Sequence, residues 1–110
     1  MKPVHLLICD GNWGRMREEA LRLEGAGIPS LLLVKVKPSS ELRELIRMIP
    51  ARPLIRHRFI HRKIFRITLP LRVAWLLASQ PVGRVVCDRE RIFRIFSPWF
   101  RRLGIPCESL

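Results

Sequence analysis

The 110-residue sequence contains no run of about 18 uncharged apolar residues, the minimum for a membrane-spanning helix. Its best candidate, residues 64–79, is interrupted by Arg66 and Arg72, so no transmembrane segment is expected. The amino terminus also lacks the layout of a secretory signal, and we therefore expect a cytoplasmic protein. An apolar fraction of 48% argues against disorder, and the length suits a single domain over residues 1–110.

Cysteine is scarce, and its spacing does not suggest a metal site. Cys9, Cys87 and Cys107 make an odd number in a chain without an export signal, which predicts free thiols. Each ends or follows an apolar run, where cysteine commonly packs as a small hydrophobic residue. No C-x-x-C spacing accompanies the three histidines, so the sequence gives little support to a zinc–thiolate site.

Acidic residues are few, with 9 Asp and Glu against 21 Lys and Arg, for a net charge of +12. Such an excess favours a polyanionic partner, most often nucleic acid. Arginine predominates over lysine, and its guanidinium binds phosphate through two hydrogen bonds and stacks on bases. The alternative is a bias of composition, because one Asn, one Gln and one Thr are typical of thermophile-like sequences that avoid thermolabile side chains.

Short apolar runs alternate with amphipathic segments along the chain. We predict strands at residues 4–9, 28–36 and 85–87, with a short last strand after Gly104. Helices are predicted at residues 13–24, from Ser39 or Ser40 to 49, at 69–79, and from 89 to 103. This alternation predicts a three-layer α/β domain with a small, mostly parallel central sheet flanked by helices. The near-uniform apolarity of residues 69–79 predicts deep burial of that helix.

Two segments allow more than one structure. Residues 51–68 follow neither a period of 2 nor one of 3.6, so an exposed helix and a hairpin both fit. In the last helix, Ser97-Pro98 predicts either a kink or a new helix start. Its apolar residues are expected to form a single stripe, made of Ile92, Ile95, Phe96, Trp99, Phe100 and Leu103.

The first strand and the next-to-last strand end in the same dipeptide, Cys-Asp. Ligands of open α/β sheets bind at the carboxyl ends of strands, so we expect Asp10 and Asp88 to meet at one edge. Together with Glu41 or Glu44 they could hold Mg²⁺ or Mn²⁺, hard ions that take oxygen ligands. Ordinary roles are the alternatives: a turn for Asp10, a helix N-cap for Asp88, and solvated helix charges for the glutamates.

The basic segment at residues 52–66 interleaves cations with Phe59 and Phe65, which suits phosphate contact combined with base stacking. The alternatives are a solvated arginine-rich face whose aliphatic residues reach the core, and an anionic membrane surface as the partner. The residues predicted to bind nucleic acid are Arg52, Arg56, Arg58, Arg62, Lys63, Arg66 and, in the following helix, Arg72.

Several short segments together resemble the PIN-like nuclease superfamily, including its NYN branch. Residues 9–12, Cys-Asp-Gly-Asn, are similar to the end of the family's first strand, and residues 38–45 to its glutamate-bearing segment, with Glu44 the closer match. Residues 85–105 are similar to its final strand, aspartate, helix, glycine and strand. The resemblance spans nearly the whole chain. One departure is Arg72, which stands where a later helix of the family opens with a metal-binding aspartate.

The resemblance implies a PIN-like, Rossmann-like fold and a metal-dependent ribonuclease that uses Mg²⁺ or Mn²⁺. Asp10, Glu44 and Asp88 would be its catalytic metal ligands, and RNA is expected as the substrate in preference to DNA. The departure at Arg72 favours an alternative, a catalytically inactive domain of the same fold that binds nucleic acid or a protein. A protein partner and a homodimer both remain open.

Overall fold

A computed structural model describes residues 3–11, 13–36, 47 and 52–109 of the chain. Within these residues five strands alternate with three helices. In chain order they are β1 (Val4–Cys9), α1 (Trp13–Gly25), β2 (Ser30–Val36), β3 (Ile55–His61), α2 (Phe65–Ser79), β4 (Val82–Cys87), α3 (Glu90–Arg102) and β5 (Cys107–Ser109). Of the predicted helix at residues 39–49, only Arg47 is described, and it is helical; Glu41 and Glu44 lie outside the described residues.

The five strands form one sheet in the order β3-β2-β1-β4-β5, and all neighbours are parallel. Parallel strands covered on both faces are made of continuous apolar runs, as in β1 and β2. In β1, Leu6 and Ile8 pack with α2 and α3, whereas Leu7 and Cys9 pack with α1 on the opposite face. The predicted three-layer α/β architecture is therefore confirmed.

Within residues 52–68 the basic segment forms neither an exposed helix nor a hairpin, so both alternatives predicted for residues 51–68 were wrong. Ile55–His61 is instead the edge strand β3, which pairs in parallel with β2 from Ser30↔Ile55 to Val36↔His61. An edge strand of a parallel sheet is recognised by a partner distant in sequence, and its solvent-exposed positions weaken the apolar pattern. Arg56 and Arg58 occupy two of those exposed positions.

Helix α2 begins at Phe65, four residues before its predicted start, and this changes the position of Arg72. Arg72 lies inside the helix on its exposed surface and does not open it. Only one side of α2 is buried, through Phe65, Leu69 and Val73, so the prediction of deep burial was wrong. The physical reason is that a helix laid on a sheet buries one face, however apolar its other face is.

Helix α3 continues from Glu90 to Arg102 through Pro98, so no second helix starts at Ser97. Its buried side is formed by Ile92, Phe96 and Phe100, whereas Ile95 and Leu103 are exposed. The predicted single stripe was therefore too wide. In the described part of the chain, none of the helices combines the length and the apolarity that crossing a bilayer requires.

Candidate functional site

The strand order brings the two predicted aspartates to one place. Strands β1 and β4 are hydrogen-bonded neighbours, and the connections that leave them run to opposite faces of the sheet, through α1 and α3. Ligands of open parallel sheets bind at such a point, outside the carboxyl ends of the strands. Asp10 directly follows β1 and Asp88 directly follows β4, as the sequence predicted.

Asp88 is joined to Asp10 by hydrogen bonds to the main chain. The backbone N–H of Asp10 donates to both carboxylate oxygens of Asp88, each at 2.8 Å. The backbone N–H of Asp88 in turn donates to the Ile8 carbonyl at 3.2 Å. Asp88 is 7% exposed, so its charge is held in a largely buried position by these contacts. Its carboxylate therefore has a structural role in addition to any chemical one.

The Asp10 carboxylate forms an ion pair with Lys35, from the carboxyl-terminal part of β2. Its side chain is 18% exposed and that of Lys35 is 37% exposed, so the pair is only partly screened by solvent. The Lys35 ammonium also lies 5.9 Å from the centre of the Phe65 ring. Sequence reasoning missed Lys35. Its position near the carboxyl end of the strand predicted at residues 28–36 was the signal in the sequence.

Arg89 adds a second cation next to Asp10, and its side chain lies close to Gly11, the residue that follows Asp10. The Arg89 Nε–H donates to the Asp10 carbonyl at 3.1 Å. Gly11 has a φ of 114°, a conformation that side chains other than hydrogen rarely permit. A Cβ at this position would also lie 3.2 Å from a terminal guanidinium nitrogen of Arg89. The edge of the sheet therefore contains two aspartates and two cations.

Cys9 lies directly before this edge, but its thiol is not poised to react. Burial raises the pKa of Cys9 to about 12, and the neighbouring Asp88 carboxylate also raises it. Burial likewise raises the pKa of Cys87. Thiolates are the nucleophilic and metal-binding form of cysteine, so both residues act as buried apolar groups at neutral pH. The cysteines are free, as predicted.

The described residues complete only part of the metal site that the PIN-like resemblance implies. Asp10 and Asp88 offer carboxylate oxygens, the ligands that Mg²⁺ and Mn²⁺ prefer. Among the described residues, however, no three His, Cys, Asp or Glu side chains form a group that could hold a metal ion. The third predicted ligand, Glu44, lies outside them. The Asp10 carboxylate is instead paired with the Lys35 ammonium.

All seven predicted nucleic-acid-binding residues are exposed, and they lie on β3, on its flanking turns and on α2. Arg62 and Lys63 follow β3, at the same edge of the sheet as Asp10. Since β3 is two strands from β1 and three from β4, this turn lies about 10 Å along the edge from Asp10 and about 14 Å from Asp88. Arg52 pairs with Glu24 at 2.5 Å, the one ion pair among these seven and the other described residues.

Arg56 and Arg58 lie away from the aspartates. They line a cavity of about 870 Å³ between the start of the sheet and the carboxyl-terminal half of α2, together with Trp75, Ser79 and Gln80. The cavity includes residues at the amino-terminal ends of β1 and β2, whereas Asp10 and Asp88 lie at the carboxyl ends. The predicted cations are therefore divided between two edges of the domain.

Comparison of the chain with protein-family models, with curated proteins and with solved structures finds no match. The class that fold and site define is thus an α/β domain with a five-stranded parallel sheet. Its characteristic feature is a pair of aspartates, accompanied by Lys35 and Arg89, between β1 and β4, where the strand order of the parallel sheet reverses.

Proposed function

We propose that this domain binds nucleic acid, with RNA preferred to DNA, through the basic surface formed by β3, its flanking turns and α2. The observation that supports the proposal is that all seven predicted cations are exposed. Of these seven, only Arg52 forms an ion pair with another described residue. Unpaired surface arginines can bind phosphates directly and release counterions from the nucleic acid.

Edge-strand arginines have a second use, because charged side chains protect an edge from pairing with another chain. The two roles differ in their dependence on salt. Binding of phosphates by cations weakens linearly with the logarithm of the salt concentration, whereas edge protection requires no ligand. Measuring affinity over a range of salt therefore separates the two roles.

The test is the affinity of the chain for a labelled single-stranded RNA, measured by fluorescence anisotropy at several salt concentrations. We expect the variant Arg56→Ser/Arg58→Ser to bind more weakly and to reduce the salt slope by about 2. The control is Arg15→Ser/Arg17→Ser, which removes the same charge from exposed positions of α1. Equal losses in both variants would show a dependence on net charge alone, and the proposed surface would be incorrect.

A second candidate function is metal-dependent cleavage of RNA, and the observation that favours it is the convergence of Asp10 and Asp88. These two carboxylates would hold Mg²⁺ or Mn²⁺, which supplies hydroxide and shields phosphate charge when bound. The ion pair with Lys35 competes with such binding, since both cations need the Asp10 carboxylate. The alternative is a catalytically inactive domain in which Lys35 permanently neutralises Asp10.

Cleavage of a labelled RNA with Mg²⁺ or Mn²⁺ distinguishes these alternatives. An active enzyme should lose cleavage in Asp10→Asn, and Lys35→Met should change the metal concentration needed for half-maximal rate. Cleavage that persists unchanged in Asp10→Asn would come from another source and would eliminate the nuclease.

An RNA-binding domain in the cytoplasm would also agree with the free cysteines of the chain.

A further inference from the structure

Helix α2 has an apolar side that none of the described residues covers. Phe65, Leu69 and Val73 are buried against the sheet. In contrast, Ile67, Leu71 and Trp75 are 72%, 69% and 70% exposed, and Ile64 just before the helix is 49% exposed. With 3.6 residues per turn, these four positions form one stripe opposite the buried side. A stripe of large exposed apolar side chains usually marks an interaction surface.

Helix α3 covers the same face of the sheet as α2 and contributes positive charge. Its exposed arginines are Arg91, Arg94, Arg101 and Arg102. Helix α2 adds Arg66 and Arg72, also exposed, and contains no acidic residue. Glu90 is the one acidic residue of α3, and it pairs with Arg94 at 2.9 Å. We call this combination of an apolar α2 and a cationic α3 the α2/α3 layer.

We propose that the α2/α3 layer docks on an anionic membrane surface. Ile67, Leu71 and Trp75 enter the boundary between headgroups and acyl chains, and the α3 arginines contact lipid phosphates. Surface helices bind membranes through buried apolar area combined with attraction to anionic lipids. Tryptophan is enriched at this depth because its ring is amphipathic, and arginine binds phosphate through its planar fork.

Other partners would complement only one component of the α2/α3 layer, either its apolar stripe or its arginines. A second copy would bring the arginines of two strongly positive chains together, since each carries a net charge of +12. A stable protein interface uses about 20–30 residues a side, whereas the stripe consists of four large side chains. Nucleic acid would neutralise the arginines but would leave Ile67 and Leu71 in water. An anionic bilayer satisfies both components.

The experiment is co-sedimentation of the full chain with vesicles of phosphatidylcholine alone and of phosphatidylcholine mixed with phosphatidylglycerol. We expect binding to the mixed vesicles and little binding to the neutral ones. Tryptophan emission should shift to shorter wavelength on binding, and Trp75→Phe should remove that shift. Circular dichroism establishes that each variant is folded, which we expect because the substituted side chains are exposed.

Two variants and a matched control test the two components. Ile67→Ser/Leu71→Ser should weaken vesicle binding roughly tenfold or more, because it removes the inserted apolar groups. Arg91→Ser/Arg102→Ser should weaken it about fivefold for each arginine. Arg15→Ser/Arg17→Ser changes charge equally on α1, across the sheet, and should have a much smaller effect.

Several results would overturn the proposal. They are no binding to the mixed vesicles, binding that is unaffected by Ile67→Ser/Leu71→Ser, and equal loss in the α1 control. A dimer in light scattering that becomes monomeric in Ile67→Ser/Leu71→Ser, without vesicle binding, would assign the stripe to a second copy. RNA affinity measured on the same variants is an independent readout, because none of the substituted residues is among the seven cations assigned to nucleic acid.

Discussion

Asp88 is the side chain on which the geometry of the candidate site depends most. Its two carboxylate oxygens accept the Asp10 backbone N–H, so it holds the ends of β1 and β4 in register. This role does not depend on catalysis. A loss of activity on changing Asp88 would therefore be ambiguous, whereas a change at Asp10 tests chemistry more directly.

We expect Asp88→Ala to lower the free energy of unfolding by about 1.5–3 kcal/mol, because it leaves a partly buried N–H without its charged acceptor. Asp88→Asn keeps one acceptor oxygen and should cost less. Asp10→Asn breaks only a partly exposed ion pair and should cost about 1 kcal/mol or less. Urea unfolding measures all three, and an Asp88→Ala variant as stable as wild type would contradict the structural role.

At the level of elements, Arg84 connects α1, β4 and β5. It donates to Glu19 of α1 at 2.9 Å and pairs with Glu108 of β5. The side chain of Arg84 is 21% exposed and that of Glu19 is 12% exposed, so this bridge is partly shielded from water. The last strand, of only three residues, is therefore held by an ionic contact in addition to its pairing with β4.

Arg84→Ala should lower the free energy of unfolding by about 1–2 kcal/mol, since two carboxylates lose a shared partner. The matched control is Arg94→Ala, which breaks an exposed pair between residues one turn apart on α3. That change should cost less than about 0.5 kcal/mol. Losses of equal size in the two variants would mean that burial adds nothing to the Arg84 bridge.

At the scale of the whole molecule, several titratable groups have a lower pKa in the folded chain than in the unfolded chain. Acidification therefore destabilises the fold through each of them. Burial lowers the pKa of His57 below 6.5, and burial together with Arg84 lowers the pKa of His5. Hydrogen bonds to Arg22 and Arg84 lower the pKa of Glu19, and a hydrogen bond to Arg84 lowers that of Glu108. In every case the unfolded chain binds protons more readily than the folded one.

Stability should therefore fall in two stages as the pH is lowered. The histidine contribution is complete above pH 6.5 and is lost below it, and the glutamate contribution is lost below pH 4.5. Unfolding free energies from urea titrations between neutral pH and acid would show this. His57→Gln should reduce the first stage without changing the second. An unfolding free energy that increases as the pH is lowered from neutral to 5 would contradict the predicted direction of the change.

Local pattern was enough to predict much of the fold. Continuous apolar runs ending in Cys-Asp indicated β1 and the end of β4, and the alternation of strands with helices indicated a parallel sheet. From those strand ends, the meeting of Asp10 and Asp88 could be predicted, because the carboxyl ends of parallel strands share an edge. These features depend on which residues are buried and on how strands and helices alternate along the chain. Both are visible in the periodicity of the apolar residues.

The other features of the fold and the site depend on contacts between residues that are distant in the sequence. Strand β3 forms because it pairs with β2, and the local sequence pattern from Arg56 to Ile60 does not predict that pairing. The contact of Lys35 with Asp10 arises from the lateral order of β2 and β1, which periodicity does not contain. Likewise, composition made α2 apolar, but its single packing face left Ile67, Leu71 and Trp75 in solvent. The physical reason is that burial depends on which surfaces meet, whereas sequence records only which side chains could be buried.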